Sequence, residues 1–227
     1  MRTGLAPAML RSKPNAYPWL LAAALTALLA GSLFRAYTQT DVALFRMFGT
    51  IAVVLVGVFA TRTFYVFQER DALERLAGVL DQLPAGFDVG PAAVLREPDA
   101  RRRLVVDLVI VGRRSLILVG IDGTRPVASA GATRARLQRL ARNLWRARRL
   151  VEGQAGAEGA GDVPVTALLL ALYREPEAGT VFIEGLPVVP AESLPSALIE
   201  VDREAAGADL PPEFRNQLLR DLQPGTR

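Results

Sequence analysis

The chain has 227 residues and a formal net charge of +4, contains neither histidine nor cysteine, and has Lys13 as its only lysine. The missing His and Cys exclude Ser-His-Asp and Cys-His nucleophiles, His/Cys zinc sites, thiol redox chemistry and disulfides. The missing lysines exclude a Walker-type phosphate lysine or a Schiff base from the body of the protein. Metal-assisted carboxylate chemistry remains, or no chemistry at all.

Two apolar stretches predict transmembrane helices at about 18–38 and 43–64, after an N-terminal tail at 1–17. The first stretch carries no charge from Pro18 to Phe34, and each stretch is long enough to span the hydrocarbon core. The second stretch contains Arg46, whose side chain can extend toward the membrane surface. Residues 1–65 are therefore predicted to form a membrane anchor.

The segment between the two spans, Arg35–Asp41, is so short that the helices are expected to form a hairpin with both ends on one side. Basic residues flank the outer ends of this hairpin: Arg2, Arg11, Lys13, Arg62, Arg70 and Arg75. The positive-inside rule then places both termini, and the domain at 66–227, in the cytoplasm beneath a bacterial plasma membrane. A cleaved signal peptide is the alternative for the first stretch, but Leu28-Leu29-Ala30 is a poor cleavage site and a second span follows.

Residues 66–227 are enough for one hydrophobic core, and their periodicity alternates between helices and strands. Helices are predicted at Glu69–Leu83, Thr133–Glu152 with Thr133 as N-cap, Glu192–Glu200 and Pro211–Leu222. Strands are predicted at Phe87–Leu95 (one or two), Leu104–Asp122 (a pair), Val163–Tyr173, Thr180–Glu184 and Pro187–Val189, with a polar loop at Glu97–Arg103 and a flexible segment at 153–162. This order is typical of an α/β domain.

The predicted strand pair at Leu104–Asp122 contains two acids, and a buried carboxylate is costly unless it has a partner or a role. With Arg113-Arg114 at the tip of the hairpin, the numbers of opposed residues sum to 227, so Asp107 faces Gly120. Asp122 lies on the same face, two residues farther along its strand. We therefore expect one acidic spot, formed by Asp107 and Asp122, with a gap at Gly120.

Several segments resemble the PD-(D/E)XK nuclease fold and, more narrowly, the nuclease-related domain (NERD), which is found behind membrane spans in bacteria. The segments, which fall within Arg70–Leu198, are Leu73–Gly86, Val106–Gly112, Gln138 and Asn143-Leu144. The resemblance implies a restriction-endonuclease-like mixed sheet flanked by helices, behind the transmembrane hairpin.

The chain departs from this family at two positions that matter for catalysis. Gly120 stands where the family has a metal-binding Glu, and Asp122 stands where it has the catalytic Lys. The resemblance implies that Asp107, Asp122 and Glu74 are the candidate ligands for Mg or Mn, but no residue replaces the lysine as a base. Asp107 has a second interpretation, as an acid that caps neighbouring backbone or pairs with an arginine. The favoured hypothesis is a catalytically degenerate binding or scaffolding module, and the alternative is a metal-dependent nuclease acting on DNA or RNA through Asp107 and Asp122.

The helix predicted at Thr133–Glu152 is strongly cationic, with seven arginines and Trp145 among them. Its candidate phosphate or headgroup contacts are Arg134, Arg139, Arg142, Arg146 and Arg149. Such a surface suits nucleic-acid phosphates or anionic lipid headgroups, and a second alternative is therefore an anionic-lipid-binding module. A solvated helix face in an arginine-rich protein is the plain explanation, and any protein partner is unknown.

Overall fold

Two long helices form the N-terminal part of the chain, α1 at Tyr17–Thr40 and α2 at Ala43–Asp81. The computed structural model describes residues 15–40, 42–96, 103–123, 130–157, 163–173 and 181–222. The chain forms two compact units, of which one ends at Leu73 and the other begins at Glu74.

In the N-terminal unit, side-chain contacts show that α1 and the first part of α2 run antiparallel. Trp19, near the start of α1, packs against Phe59 with ring centroids 6.2 Å apart, and the Arg62 guanidinium lies 5.7 Å from the Trp19 ring. Phe34, near the end of α1, lies against Gly49, where an added Cβ would be 3.1 Å from the Phe34 ring. The predicted helical hairpin is therefore present.

Both helices are long and apolar enough to cross a membrane, by length and composition. Helix α2 continues through most of the amphipathic segment predicted at Glu69–Leu83 and ends at Asp81. The connector predicted at Arg35–Asp41 is wrong in its bounds, because residues 35–40 belong to α1 and Asp41 lies outside the described residues. No Gly or Pro interrupts Arg35–Thr40, so nothing in the local sequence ends the helix earlier.

The second unit is a mixed α/β structure with eight described strands and three described helices that follow α2. The strands are β1 (Asp88–Gly90), β2 (Ala93–Arg96), β3 (Arg103–Val106), β4 (Leu108–Val111), β5 (Leu116–Asp122), β6 (Val165–Ala171), β7 (Val181–Ile183) and β8 (Leu186–Pro190). The helices are α3 (Ala130–Ala157), α4 (Leu194–Glu204, after a 3₁₀ turn at Ala191–Ser193) and α5 (Pro212–Asp221).

Six strands form one mixed sheet in the order β1-β4-β5-β6-β8-β7, and β2 pairs with β3 in a separate antiparallel ribbon. The central pairs β5-β6 and β6-β8 are parallel, while β1-β4, β4-β5 and β7-β8 are antiparallel. Helix α3 lies between the parallel strands β5 and β6 in the chain, as such a crossover requires. The predicted α/β class is confirmed at this level.

Alternate residues of the central strands are buried on opposite faces of the sheet. One face, which includes Val109, Val111, Leu116 and Leu118, packs against Leu137, Ala141, Leu144 and Ala147 of α3. The residues between them, which point to the opposite face, are also fully buried; they include Leu108, Ile110, Ile117 and Leu168. The sheet is therefore covered on both faces, which explains why these strands read as continuous apolar runs.

The structure corrects the predicted bounds of helix α3. Thr133 lies inside the helix and is not its N-cap, because the helix already includes Ala130. The flexible segment predicted at 153–162 is wrong for 153–157, which continue the helix, and 158–162 lie outside the described residues. This stretch contains two glycines, Gly153 and Gly156, each of which costs a helix only about 1 kcal/mol, and their alanine and glutamine neighbours favour the helix. Of the polar loop predicted at Glu97–Arg103, Arg103 begins β3 and the rest lies outside the described residues.

Candidate functional site

Asp107 lies at a break between strands β3 and β4. The β4-β5 register pairs Leu108 with Val119, so the predicted pairing, in which opposed numbers sum to 227, is confirmed. Asp107 Oδ2 accepts a hydrogen bond of 2.7 Å from the backbone N–H of Ile121. Burial raises the pKa of the Asp107 carboxyl above its usual value, and the Ile121 hydrogen bond opposes that increase. The carboxylate thus caps backbone, which is one of the two roles that the sequence left open.

Asp122 is a buried acid with an arginine partner on the next helix. Its side chain is 7% exposed, and Nη2 of Arg136 lies 2.8 Å from Oδ1 and 2.9 Å from Oδ2. The sequence interpretation missed Arg136 as a partner. Arg136 precedes Leu140 by four residues and Leu144 by eight, so it lies in line with the buried stripe of α3. This spacing could have identified Arg136 as a residue that faces the sheet.

The gap expected at Gly120 is filled by the core. A Cβ added at Gly120 would lie 2.9 Å from Leu144 Cδ1 and 3.4 Å from Leu169 Cδ2. Real Cβ atoms essentially never approach another atom as closely as the first of these distances, so Leu144 or the strand must shift to admit a side chain. The resemblance requires a metal-binding Glu at this position. The space that its side chain would enter is filled by Leu144 of α3.

The three candidate metal ligands do not form a ready metal site. Glu74 is an exposed residue of α2, whereas Asp107 lies at the break between β3 and β4, and Asp122 ends β5 beside Arg136 of α3. Within the described part of the chain, no group of three or more Asp, Glu, His or Cys side chains is placed to hold a metal ion. Each of the two aspartates has a protein partner: Asp107 accepts from the Ile121 N–H, and Asp122 pairs with Arg136.

Another acid, Asp202 of α4, holds the tip of the β4-β5 hairpin. Its Oδ1 accepts hydrogen bonds from the Arg114 N–H at 2.9 Å and the Ser115 hydroxyl at 2.8 Å, and Oδ2 accepts from the Arg113 N–H at 3.1 Å. Sequence reasoning missed this residue. Asp202 follows Leu194 and Leu198 at intervals of four, on the buried stripe of its helix, and that spacing could have identified it.

Part of the cationic face of α3 lines a groove of about 360 Å³. The lining residues are Arg142, Trp145, Arg146, Arg149 and Glu184. We call this set the arginine groove. Its three arginines are predicted contact residues, and all three are exposed. Arg134 and Arg139, the other two predicted contacts, are exposed on the same helix but do not line the groove.

The turn between β7 and β8 supplies the acidic wall of the arginine groove. Glu184 has a φ of 52° and Gly185 a φ of 79°, the pair of positive values typical of a two-residue hairpin turn. The Trp145 indole N–H donates a 2.8 Å hydrogen bond to the Glu184 carbonyl, and Arg148 lies 5.1 Å from the Trp145 ring centroid. Trp145 therefore belongs to the edge of the core and fixes this turn.

The raised pKa of Asp107 predicts a pH-dependent stability difference between the wild type and Asp107→Asn. An acid whose folded-state pKa is raised stabilises the fold below its unfolded pKa, near 3.9, and this contribution is lost as pH rises through the folded pKa. The amide introduced by Asp107→Asn would retain an oxygen for the Ile121 N–H without titrating. In thermal unfolding of the full chain, we expect the wild type to lose stability relative to Asp107→Asn as pH increases from about 4 to 7. A relative gain over that interval would contradict the assignment.

Removal of the arginine beside Asp122 should destabilise the second unit. Arg136→Leu deletes the guanidinium that contacts both oxygens of a buried carboxylate, and we expect a loss of about 1–3 kcal/mol, below the range for a fully buried pair because Arg136 is partly exposed. Asp122→Asn in the same chain should recover part of that loss, since the charge is then absent. Denaturant unfolding of the two single variants and the double variant measures the coupling, and strict additivity would argue against the pair.

Comparisons with known proteins give no family for this chain. No protein-family profile matches the sequence, and no curated protein matches it. A search of solved structures finds protein VC1899 from Vibrio cholerae, with 13% sequence identity and a TM-score of 0.34 over 88% of this chain and 55% of that protein. The chain thus spans about half the length of that protein, and so low a TM-score does not establish a shared fold.

Proposed function

We propose that this chain is a membrane-anchored binding or scaffolding module, built on a nuclease-related domain of restriction-endonuclease-like fold that has lost its catalytic centre. The observation that carries the proposal is the packing at Gly120. Leu144 occupies the space that a glutamate at this position would need, so the site lacks its second metal ligand.

The surrounding contacts support the same conclusion. A divalent metal of the nuclease type needs carboxylate oxygens that are open to it, and a base or orienting group for the attacking water. Both oxygens of Asp122 contact Arg136, and Asp107 Oδ2 accepts from Ile121. Arginine stays protonated at all working pH values, so Arg136 can stabilise charge but cannot act as the base.

A cleavage assay tests this proposal against the nuclease alternative. The full chain, purified in a neutral detergent, is incubated with DNA or RNA and Mg²⁺ or Mn²⁺, beside Asp107→Ala prepared in the same way. We expect no cleavage above the level of the variant. Cleavage by the wild type that disappears in Asp107→Ala would establish a metal-dependent nuclease that uses Asp107, and would overturn the proposal.

The membrane part of the proposal is a two-span anchor in a bacterial plasma membrane with both termini in the cytoplasm. Its support is the antiparallel packing of α1 with the first part of α2 and the apolar length of both helices. The basic residues lie mainly outside the hairpin, which favours the cytoplasm for both ends.

Single cysteines can report this topology cleanly, because the natural chain has none. Thr40→Cys lies at the end of α1, and Glu213→Cys lies on α5, and both positions are exposed. In intact bacterial cells, a membrane-impermeant maleimide should label Thr40→Cys, whereas Glu213→Cys should be labelled only after the membrane is opened. The reversed pattern would invert the topology, and equal labelling of both in intact cells would exclude a two-span hairpin.

A further inference from the structure

We propose that the arginine groove binds a phosphate-bearing ligand, and that the Glu184 carboxylate occupies the groove as an internal competitor when this ligand is absent. The inference deepens the proposed function, on which it rests, by naming the ligand chemistry of the binding module. The shared chemistry is a phosphomonoester or diphosphate group, carried by an anionic lipid headgroup or by a soluble compound.

Among its described lining residues, the groove has a surplus of positive charge. Arg142, Arg146 and Arg149 face one acid, Glu184, among the lining residues. In the described part of the chain, neither Arg146 nor Arg149 has an ion-pair partner, whereas Arg148, outside the groove, pairs with Glu152 at 2.7 Å. An external dianion would therefore meet two guanidinium groups whose hydrogen-bond donors are available.

The spacing of these arginines suits a single phosphate group. Residues 142, 146 and 149 are separated by four and three positions, which places them side by side on one face of α3. A guanidinium group presents its donors in a plane and binds phosphate oxygens in pairs, so neighbouring arginines can share one ligand. The groove has a volume of about 360 Å³, which is enough for a phosphate or diphosphate group. These features favour a discrete phosphate ligand over an extended nucleic-acid strand.

Glu184 is held at the groove by its backbone, independently of its charge. Its left-handed φ of 52° is unfavourable for a residue with a long side chain and costs about 1–2 kcal/mol relative to glycine. Trp145 fixes the turn through the Glu184 carbonyl, so the Glu184 backbone stays beside the groove whether or not its carboxylate is bonded to Arg142.

The contact that Glu184 makes is weak enough to be exchanged for a ligand. Its Oε1 lies 3.4 Å from Arg142 Nη2, and the two side chains are 38% and 62% exposed. An exposed ion pair of this length contributes little to stability. A phosphate group with two negative charges and several acceptor oxygens can therefore replace the single carboxylate.

The test measures binding to the full chain in neutral detergent, by calorimetry with inorganic pyrophosphate. The groove variant is Arg146→Gln/Arg149→Gln. Its matched control is Arg134→Gln/Arg139→Gln, which removes the same charge from exposed positions of the same helix outside the groove. The third variant, Glu184→Gln, removes the competing charge and leaves the carbonyl that anchors Trp145. Thermal unfolding of each variant checks that it is folded.

We expect the groove variant to weaken pyrophosphate binding about tenfold or more, because each arginine supplies charge-assisted hydrogen bonds. The control should change binding less than about threefold through long-range charge alone, and Glu184→Gln should tighten it about threefold or more. Equal losses in the two double variants, or no binding by the wild type, would overturn the site. Unchanged or weaker binding by Glu184→Gln would overturn the role of Glu184 as competitor.

Two further arms distinguish the source of the phosphate and the competing class of ligand. If micelles containing phosphatidic acid displace pyrophosphate and phosphatidylcholine micelles do not, the natural ligand is a lipid headgroup. If neither kind of micelle displaces pyrophosphate, the natural ligand is a soluble phosphate compound. A single-stranded DNA oligonucleotide that binds more tightly than pyrophosphate and is weakened equally by both double variants would overturn the groove in favour of a nucleic-acid surface along α3. Cleavage and groove binding are separate measurements. The proposed function can therefore fail in the nuclease assay while groove binding persists, and groove binding can fail while the nuclease assay supports the proposed function.

Discussion

Gly120→Glu is expected to destabilise the second unit severely and not to restore a metal site. The first atom of the new side chain would already lie 2.9 Å from Leu144, and the carboxylate would be forced into an apolar region between β5 and α3. Overpacking of a core costs about 1–3 kcal/mol, and an uncompensated buried charge costs several more. The total, about 4 kcal/mol or more, is comparable with the whole stability of a typical domain. Thermal unfolding of the full chain, or failure to obtain folded protein, measures the effect.

Two other glycine variants separate the steric and electrostatic causes. Gly120→Ala adds only the Cβ and should cost about 1–3 kcal/mol through the contact with Leu144. Gly153→Ala, on the exposed surface of α3 with nothing within 4 Å of an added Cβ, should stabilise the protein by about 0.5–1 kcal/mol. A Gly120→Glu protein that unfolds at the wild-type temperature would show that the space at position 120 is open.

Asp202→Ala is expected to cost about 3–5 kcal/mol. The carboxylate accepts hydrogen bonds from two backbone N–H groups and one hydroxyl at the tip of the β4-β5 hairpin. Each hydrogen bond to a charged group contributes about 1.5–3 kcal/mol to stability. Removal of the acceptor leaves Ser115, which is fully buried, without that partner. Chemical denaturation of the full chain, followed by circular dichroism, measures the loss.

A neighbouring acid provides the matched control for Asp202. Asp209 pairs with Arg114 at the same hairpin tip at 2.7 Å, and this arginine lowers the pKa of Asp209, but the carboxylate is exposed. Because solvent screens exposed pairs, Asp209→Ala should leave stability nearly unchanged, while Asp202→Asn, which retains one acceptor oxygen, should fall between the two alanine variants. Equal effects of Asp202→Ala and Asp209→Ala would contradict the role assigned to Asp202.

The sequence predicted those parts of the structure that depend on local pattern. The register in which opposed numbers sum to 227 followed from one tip position and the two-residue period of strands, and β4 and β5 have that register from Leu108–Val119 to Val111–Leu116. The helix predicted at Glu69–Leu83 followed from helical periodicity, and most of it is present as the end of α2. The break at Asp107 did not follow, because it depends on β3 leaving β4 to pair with β2, a choice made by tertiary contacts.

The contacts that decide the chemistry of the site lie far apart in the sequence. Leu144 fills the space at Gly120, Arg136 reaches Asp122 from the next helix, and Asp202 binds the hairpin tip from 87 to 89 residues away. Periodicity places each of these residues on a buried stripe but does not say which strand residue it meets. The sequence therefore predicted the register of this hairpin, but it did not predict that Leu144 fills the space at Gly120.

We infer that Asp107 and Asp122 serve the structure and do not hold a metal. The most direct test is the unfolding temperature of the full chain in neutral detergent, measured with increasing Mn²⁺ for the wild type and for Asp107→Asn. Any ligand that binds only the folded state raises this temperature in a saturable way. We expect the unfolding temperatures of the two proteins to respond identically to Mn²⁺. A saturable increase in the wild type that is absent in Asp107→Asn would contradict it.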